Sequence, residues 1–163
     1  MKPESAAPVA PPLLPGLRHI LLPFDFSDGA KLARQHAIGY ARAFDARLTL
    51  LHIVHLPYLG SGFGPGDGAP IEASLVADVS EQLHALAGEV EREGVPGEAL
   101  VRVGHPASEV VDVAQREGIA LIVMGTHGRT GLRHVLLGSV AEHVVRHAPC
   151  PVLVVRARRG ESA

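Results

Sequence analysis

The residues best suited to chemistry are small ones. Gly125-Thr126-His127-Gly128 is followed, after nine intervening residues, by Gly138-Ser139. Ahead of the first glycine runs Ile119-Ala120-Leu121-Ile122-Val123-Met124, a short apolar run with no polar member. Such a run predicts a strand buried on both faces. Behind Ser139, the spacing of Val140, Ala141, Val144, Val145 and Ala148 predicts a helix. The whole is strand, glycine-punctuated loop, helix. Glycines there let backbone N–H groups approach an anion closely, and the helix turns its positive end to the same place. Ser139 suits a helix cap, a phosphate ligand, or both. Arg129 and Arg133 lie in the loop, either reaching a phosphate or simply solvated. The bland alternative for the loop is a tight turn; glycines and a serine between strand and helix favour a nucleotide phosphate site.

The other reactive side chains carry less. Asp25 follows the first apolar run and would sit at the carboxyl end of a strand, where ligand-facing residues belong, or serve only as a turn residue. It could hold a metal on the phosphates, as carboxylates do for Mg²⁺. His143 and His147 are spaced four apart, compatible with metal ligation, but no HExxH and no cysteine pair supports them, so surface or dimer-contact histidines are expected. His52 reads as a core or ligand-edge histidine and Cys150, between prolines, as structural. There is no GxSxG elbow and no Walker GxxxxGKS, and no nucleophile paired with a base. Catalytic residues are therefore expected to be none, and metal ligands none.

These residues need a scaffold, and the chain order supplies one. His19-Ile20-Leu21-Leu22 predicts a first strand, with Ser27 or Asp28 capping a helix whose face carries Ala33, His36, Ala37, Tyr40, Ala41 and Phe44. Arg47 to Val54 predicts a second strand. Residues 56–70, rich in Gly and Pro, read as a lid or a disordered loop. A helix over Ile71 to Glu93 buries Leu75, Val79, Leu83, Leu86 and Val90. Glu98 to Val103 is a third strand, and Ser108 caps a helix carrying Val110, Val111, Val113 and Ala114. After the glycine loop and its helix, Val152-Leu153-Val154-Val155 is a fifth strand. The alternation predicts an α/β fold: a five-stranded, mainly parallel sheet with helices on both faces. The last strand is expected at a sheet edge, where pairing with a second copy through 152–156 would make a homodimer.

Composition narrows the partners. Of 163 residues, 47% are hydrophobic and only 4% aromatic, with no Trp, which argues against base stacking. A net charge of −2 creates no field for nucleic acid or anionic lipid. One cysteine suits a reducing compartment, and no apolar run reaches spanning length. A cytoplasmic protein is expected. Residues 1–16, with five prolines among alanines, read as a disordered or loosely draped arm with a docking role as the functional alternative. Residues 17–157 form the single domain, and 158–163 a tail.

The spacing Gly125-x2-Gly128-x9-Gly138-Ser139 resembles the ATP-binding signature of the universal stress protein family. Ile20-Leu21-Leu22-Pro23-Phe24-Asp25-Phe26-Ser27, Leu50-Leu51-His52-Ile53, Gly104-His105-Pro106 and Ala148-Pro149-Cys150-Pro151-Val152-Leu153-Val154-Val155 are similar to its other segments, so that the resemblance covers roughly residues 18 to 156. It implies a Rossmann-like, adenine nucleotide α-hydrolase-like fold, ATP as ligand with or without Mg²⁺, and at most slow hydrolysis or autophosphorylation. It places Pro23, Phe24, Asp25 and Ile53 near the adenosine. Met124, Gly125, His127, Gly128 and Arg129 would lie by ribose and phosphates, and Gly138, Ser139, Val140 and Ala141 would wrap the phosphate chain. Phe24 stands where many members carry Thr, and implies a ring that crowds the nucleotide; Ala141 stands where some carry a hydroxyl. Two alternatives follow: a scaffold of the same fold that binds no nucleotide, and an enzyme cleaving ATP at the α-phosphate. The last usually shows a Ser-Gly-Gly loop where this chain has Asp25-Phe26-Ser27-Asp28-Gly29.

Overall fold

The computed structural model describes residues 16–56, 69–126 and 137–156. The expectations placed on the rest of the arm, the glycine-rich stretch 57–68, the loop residues 127–136 and the tail lie outside the described residues. Strands and helices alternate: β1 (His19–Pro23), α1 (Asp28–Phe44), β2 (Arg47–Val54), α2 (Ala69–Arg92), β3 (Gly97–Val103), α3 (Pro106–Arg116), β4 (Leu121–Gly125), α4 (Ser139–His147) and β5 (Val152–Val155). The sheet order is β3-β2-β1-β4-β5, and every pairing is parallel. β5 lies at an edge, as its position at the end of the alternation predicts.

The period of two along the strands divides the core between two layers. Ile20, Leu22 and Phe24 of the β1 segment join Leu48, Leu50 and Val123 against Ala33 and Ala37 of α1 and Leu83 and Val90 of α2. Leu21 joins Leu51, Ile122 and Met124 against Val110 and Val113 of α3 and Ala141 and Val144 of α4. Ile20, Leu21 and Leu22 are all fully buried, so β1 is central on both faces. Each such aliphatic side chain is worth about 1.5–3 kcal/mol of burial.

Several helix faces differ from the expected stripes. In α1 the buried residues are Ala30, Ala33, Ala37, Ile38 and Ala41, while His36, Tyr40 and Phe44 face solvent. A face of alanines lets the helix lie close to the sheet, which leaves no room for rings. Among the described residues of α2 the buried positions are Leu83, Ala87 and Val90, and Leu75 is exposed. In α4 Val145 is exposed, because the helix turns Ala141 and Val144, flanked by Val140, toward the sheet layer instead. α3 starts at Pro106 with His105 as its cap, so Ser108 is inside the first turn, where its hydroxyl donates to the His105 carbonyl at 3.1 Å. Arg34 of α1 pairs with Glu89 at 3.1 Å and Glu93 at 3.2 Å, tying α1 to the end of α2.

Candidate functional site

The parallel ladder between β1 and β4 covers Ile20↔Leu121 and Leu21↔Ile122 and stops there. β1 nevertheless stays paired with β2 through Pro23↔Leu51, and the Phe24 N–H continues the ladder to the Leu51 carbonyl at 2.8 Å. The two central strands therefore part at their carboxyl ends. This is the switch point of the sheet, since the chain leaves β1 toward β2 on one side and β4 toward β5 on the other. Crevices at such points receive ligands in open α/β sheets.

Two helix N-termini converge on the end of β4. A Cβ on Gly125 would come within 2.9 Å of the Gly29 carbonyl carbon and 3.0 Å of its oxygen, so only glycine lets β4 end against the first turn of α1. On the other side, the Gly138 N–H donates to the Thr126 carbonyl at 2.7 Å, and the Thr126 N–H donates to the Val155 carbonyl at 3.0 Å. These bonds pin the start of α4 beside β4. Gly138, not Ser139, is the N-cap, in extended geometry and without a side-chain bond; Ser139 is the first helical residue and is exposed. The Glu142 N–H closes the first turn on the Gly138 carbonyl at 2.8 Å. Among the described residues, the amides of Ser139, Val140 and Ala141 have no acceptor. They are the free donors that every helix start leaves, aligned with the positive end of the helix dipole.

The end of β1 is organised by Asp25. Its Oδ1 accepts from the Ser27 N–H at 3.1 Å and from the Ser27 hydroxyl at 2.5 Å, while the Ser27 Oγ accepts from the Ala30 N–H at 3.2 Å. Asp25 is thus a turn residue that orients the α1 cap, and its second oxygen keeps its acceptor capacity among the described residues. Phe26 between them has φ 65°, a left-handed conformation uncommon for a ring-bearing residue. Its ring meets Phe24 edge-on at 5.2 Å and His52 at 5.3 Å. His52, buried in β2, donates from Nδ1 to the Phe24 carbonyl at 2.7 Å and so helps hold the turn.

The expected site residues are therefore brought together in part. Pro23, Asp25, Met124, Gly125, Gly138, Ser139, Val140 and Ala141 surround the parting of β1 and β4. Ile53 lies one strand away, half-buried near the end of β2. His127, Gly128 and Arg129, with Arg133, lie outside the described residues. Phe24 corrects its expectation: strand alternation turns the ring to the α1 and α2 layer, where it is 4% exposed. Ala141 is likewise buried on its Cβ side, so its N–H is what it can offer.

Three residues were not singled out by spacing. Thr126 sets the loop through its two main-chain bonds, and Phe26 packs the turn. Arg102 stands beside Ile53 in register, and its buried Nε has no acceptor among the described residues. An arginine among alternating apolar residues was the available signal for the last. Elsewhere, the His143 and His147 rings stack at 4.2 Å with the His147 Nδ1–H donating to the His143 carbonyl at 2.8 Å, and burial pushes the Cys150 thiol pKa up. Among the described residues, no three His, Cys, Asp or Glu gather as a metal would require. None of the described helices is long and apolar enough to cross a membrane.

Comparison with known proteins gives concordant matches. A family model described as the universal stress protein family matches residues 16–156. Universal stress protein MJ0531 of Methanocaldococcus jannaschii is 39% identical over 147 residues, covering 88% of this chain and 85% of the relative. The solved structure of the hypothetical protein MJ0577 superposes with a TM-score of 0.80 at 30% identity, covering 88% of this chain and 99% of that one. The universal stress protein from Archaeoglobus fulgidus in complex with dAMP superposes with a TM-score of 0.57 at 26% identity, covering 85% and 96%.

Proposed function

This chain belongs to the universal stress protein family, and from that premise we propose that it is a cytoplasmic, homodimeric module that binds ATP at the crevice between β1 and β4. One observation carries the reading: the central strands part directly beside the first turn of α4, whose three leading amides have no acceptor among the described residues. The donor set suits a polyanion. Ser139, Val140 and Ala141 would offer main-chain N–H groups to the phosphates, Gly125 and Gly138 would leave the approach clear, and the open oxygen of Asp25 would suit a Mg²⁺ on the phosphate chain. Pro23 and Ile53 would line the adenosine side. The dAMP complex of the Archaeoglobus relative supports an adenine nucleotide as the ligand class.

Binding, rather than turnover, is the proposed output. No nucleophile paired with a base stands at the crevice among the described residues, and a ligand that prefers one conformer shifts its population. Isothermal titration with Mg-ATP tests this. Wild type is expected to give saturable heat and a melting temperature that rises with ligand by mass action. Gly138→Val, which places a branched side chain at the mouth, is expected to weaken both at least tenfold. No heat at protein far above micromolar concentration overturns the reading.

A second reading has a specific observation behind it. The Gly138 amide is already bonded to Thr126 and one Asp25 oxygen to Ser27, so part of the donor and acceptor set serves the fold. A family scaffold without nucleotide would keep these bonds and show a melting temperature indifferent to ATP.

A further inference from the structure

We propose that residues 8–15, the proline-rich stretch ahead of β1, dock in cis along an aromatic groove on the outer face of α1. The groove runs between Gln35, His36, Gly39, Tyr40, Ala43 and Phe44. Tyr40 and Phe44 are 36% and 41% exposed, and their rings stack at 6.4 Å with planes 9° apart. Two parallel rings one turn apart, over a floor of Gly39 and Ala43, make an apolar slot. A Cβ built on Gly39 would meet nothing within 4 Å, so the floor is open to an incoming chain.

The occupant follows from where the described chain begins. Gly16 has φ +79°, a reversal, and Leu17 behind it is buried. Arg18 then donates from Nη1 to the Asp45 carbonyl at 3.4 Å and pairs with the Asp45 carboxylate at 3.2 Å. Asp45 is the residue after Phe44, so the preceding stretch departs beside the end of the groove. That stretch reads Pro8-Val9-Ala10-Pro11-Pro12-Leu13-Leu14-Pro15. Prolines fix φ near the polyproline II value, and such segments dock on aromatic-lined grooves at low entropic cost. Eight residues at about 3.1 Å each reach about 25 Å. The groove from Phe44 to His36 spans about 12 Å of helix. A short tether also raises the local concentration to the millimolar range, enough to populate a weak contact. This face lies at the amino end of β1, opposite the crevice, so the proposal does not depend on nucleotide binding.

A paramagnetic label tests it in the full chain. Cys150→Ser removes the native thiol, and Ala10→Cys carries a nitroxide. When each ¹⁵N chain bears its own label, the amide cross-peaks of Gly39 and Ala43 are expected to be lost and to return on reducing the nitroxide. Tyr40→Ala with Phe44→Ala should restore their intensity at least threefold with the label intact. Pro11→Gly with Pro12→Gly, which leaves α1 untouched, should do the same. Unchanged intensity on removing the rings or the prolines overturns the proposal. Comparable losses when labelled ¹⁴N chains are mixed with unlabelled ¹⁵N chains also overturn it, because a second copy would then fill the groove.

Discussion

At the scale of single residues, this site depends on one missing methyl group. The backbone of Gly29 stands where a Gly125 Cβ would go, and backbone cannot step aside as a flexible side chain can. Gly125→Ala is expected to lose about 1–3 kcal/mol, the usual range for forced overpacking, read as a lower urea midpoint. A second residue-scale effect lies at the other end of β1. His19 is 5% exposed, and its Nε2–H donates to the Thr49 hydroxyl at 2.8 Å. Arg47 approaches Nδ1 at 2.9 Å; arginine only donates, so the ring is neutral there. Burial first, and the Arg47 charge second, hold the His19 pKa below its ordinary 6.5, against smaller opposing effects of Glu117 and Glu98. The unfolded chain therefore takes up this proton first as pH falls. The stability from His19 is complete above about 6.5 and is lost as pH drops through the lowered folded value. Melting temperatures between pH 8 and pH 5 should fall more steeply for wild type than for His19→Gln.

At the scale of elements, the contrast within α2 is the clearest test. Leu83 is fully buried among the α1 and α2 layer residues, and Leu75, two turns earlier, is 41% exposed. Leu83→Ala is expected to cost about 2–5 kcal/mol, and Leu75→Ala within about 0.5 kcal/mol, both by chemical denaturation. Equal effects would mean that the whole helix is packed. The apolar spacing places both leucines on one stripe, because periodicity records the face of a helix and not how far a neighbouring layer extends beneath it. The same reason lies behind Tyr40 and Phe44. They repeat at helical spacing with Ala33, Ala37 and Ala41, yet the close alanine contact rotates them to solvent.

For the molecule as a whole, β5 pairs with β4 along one side, and its four residues Val152–Val155 are apolar. Sequence patterning and the observed edge position together motivate the proposed two-fold pairing through 152–156. Val154→Asp would put a charge on that edge. Light scattering is expected to show it at half the wild-type mass, and an unchanged mass would exclude pairing there.

By itself, the sequence determined the alternation of elements, the double burial of β4, the edge character of β5 and the family. Those depend on local composition and period, and on signature spacing that the chain carries in one dimension. Tertiary structure alone decided that β1 and β4 are neighbours that part after two pairs, that Phe24 turns into the core, that Asp25 is half committed to Ser27, and that Gly138 rather than Ser139 caps α4. Each of these is a choice among partners far apart in the chain, made by packing and by hydrogen-bond geometry, and no periodicity encodes which partner wins.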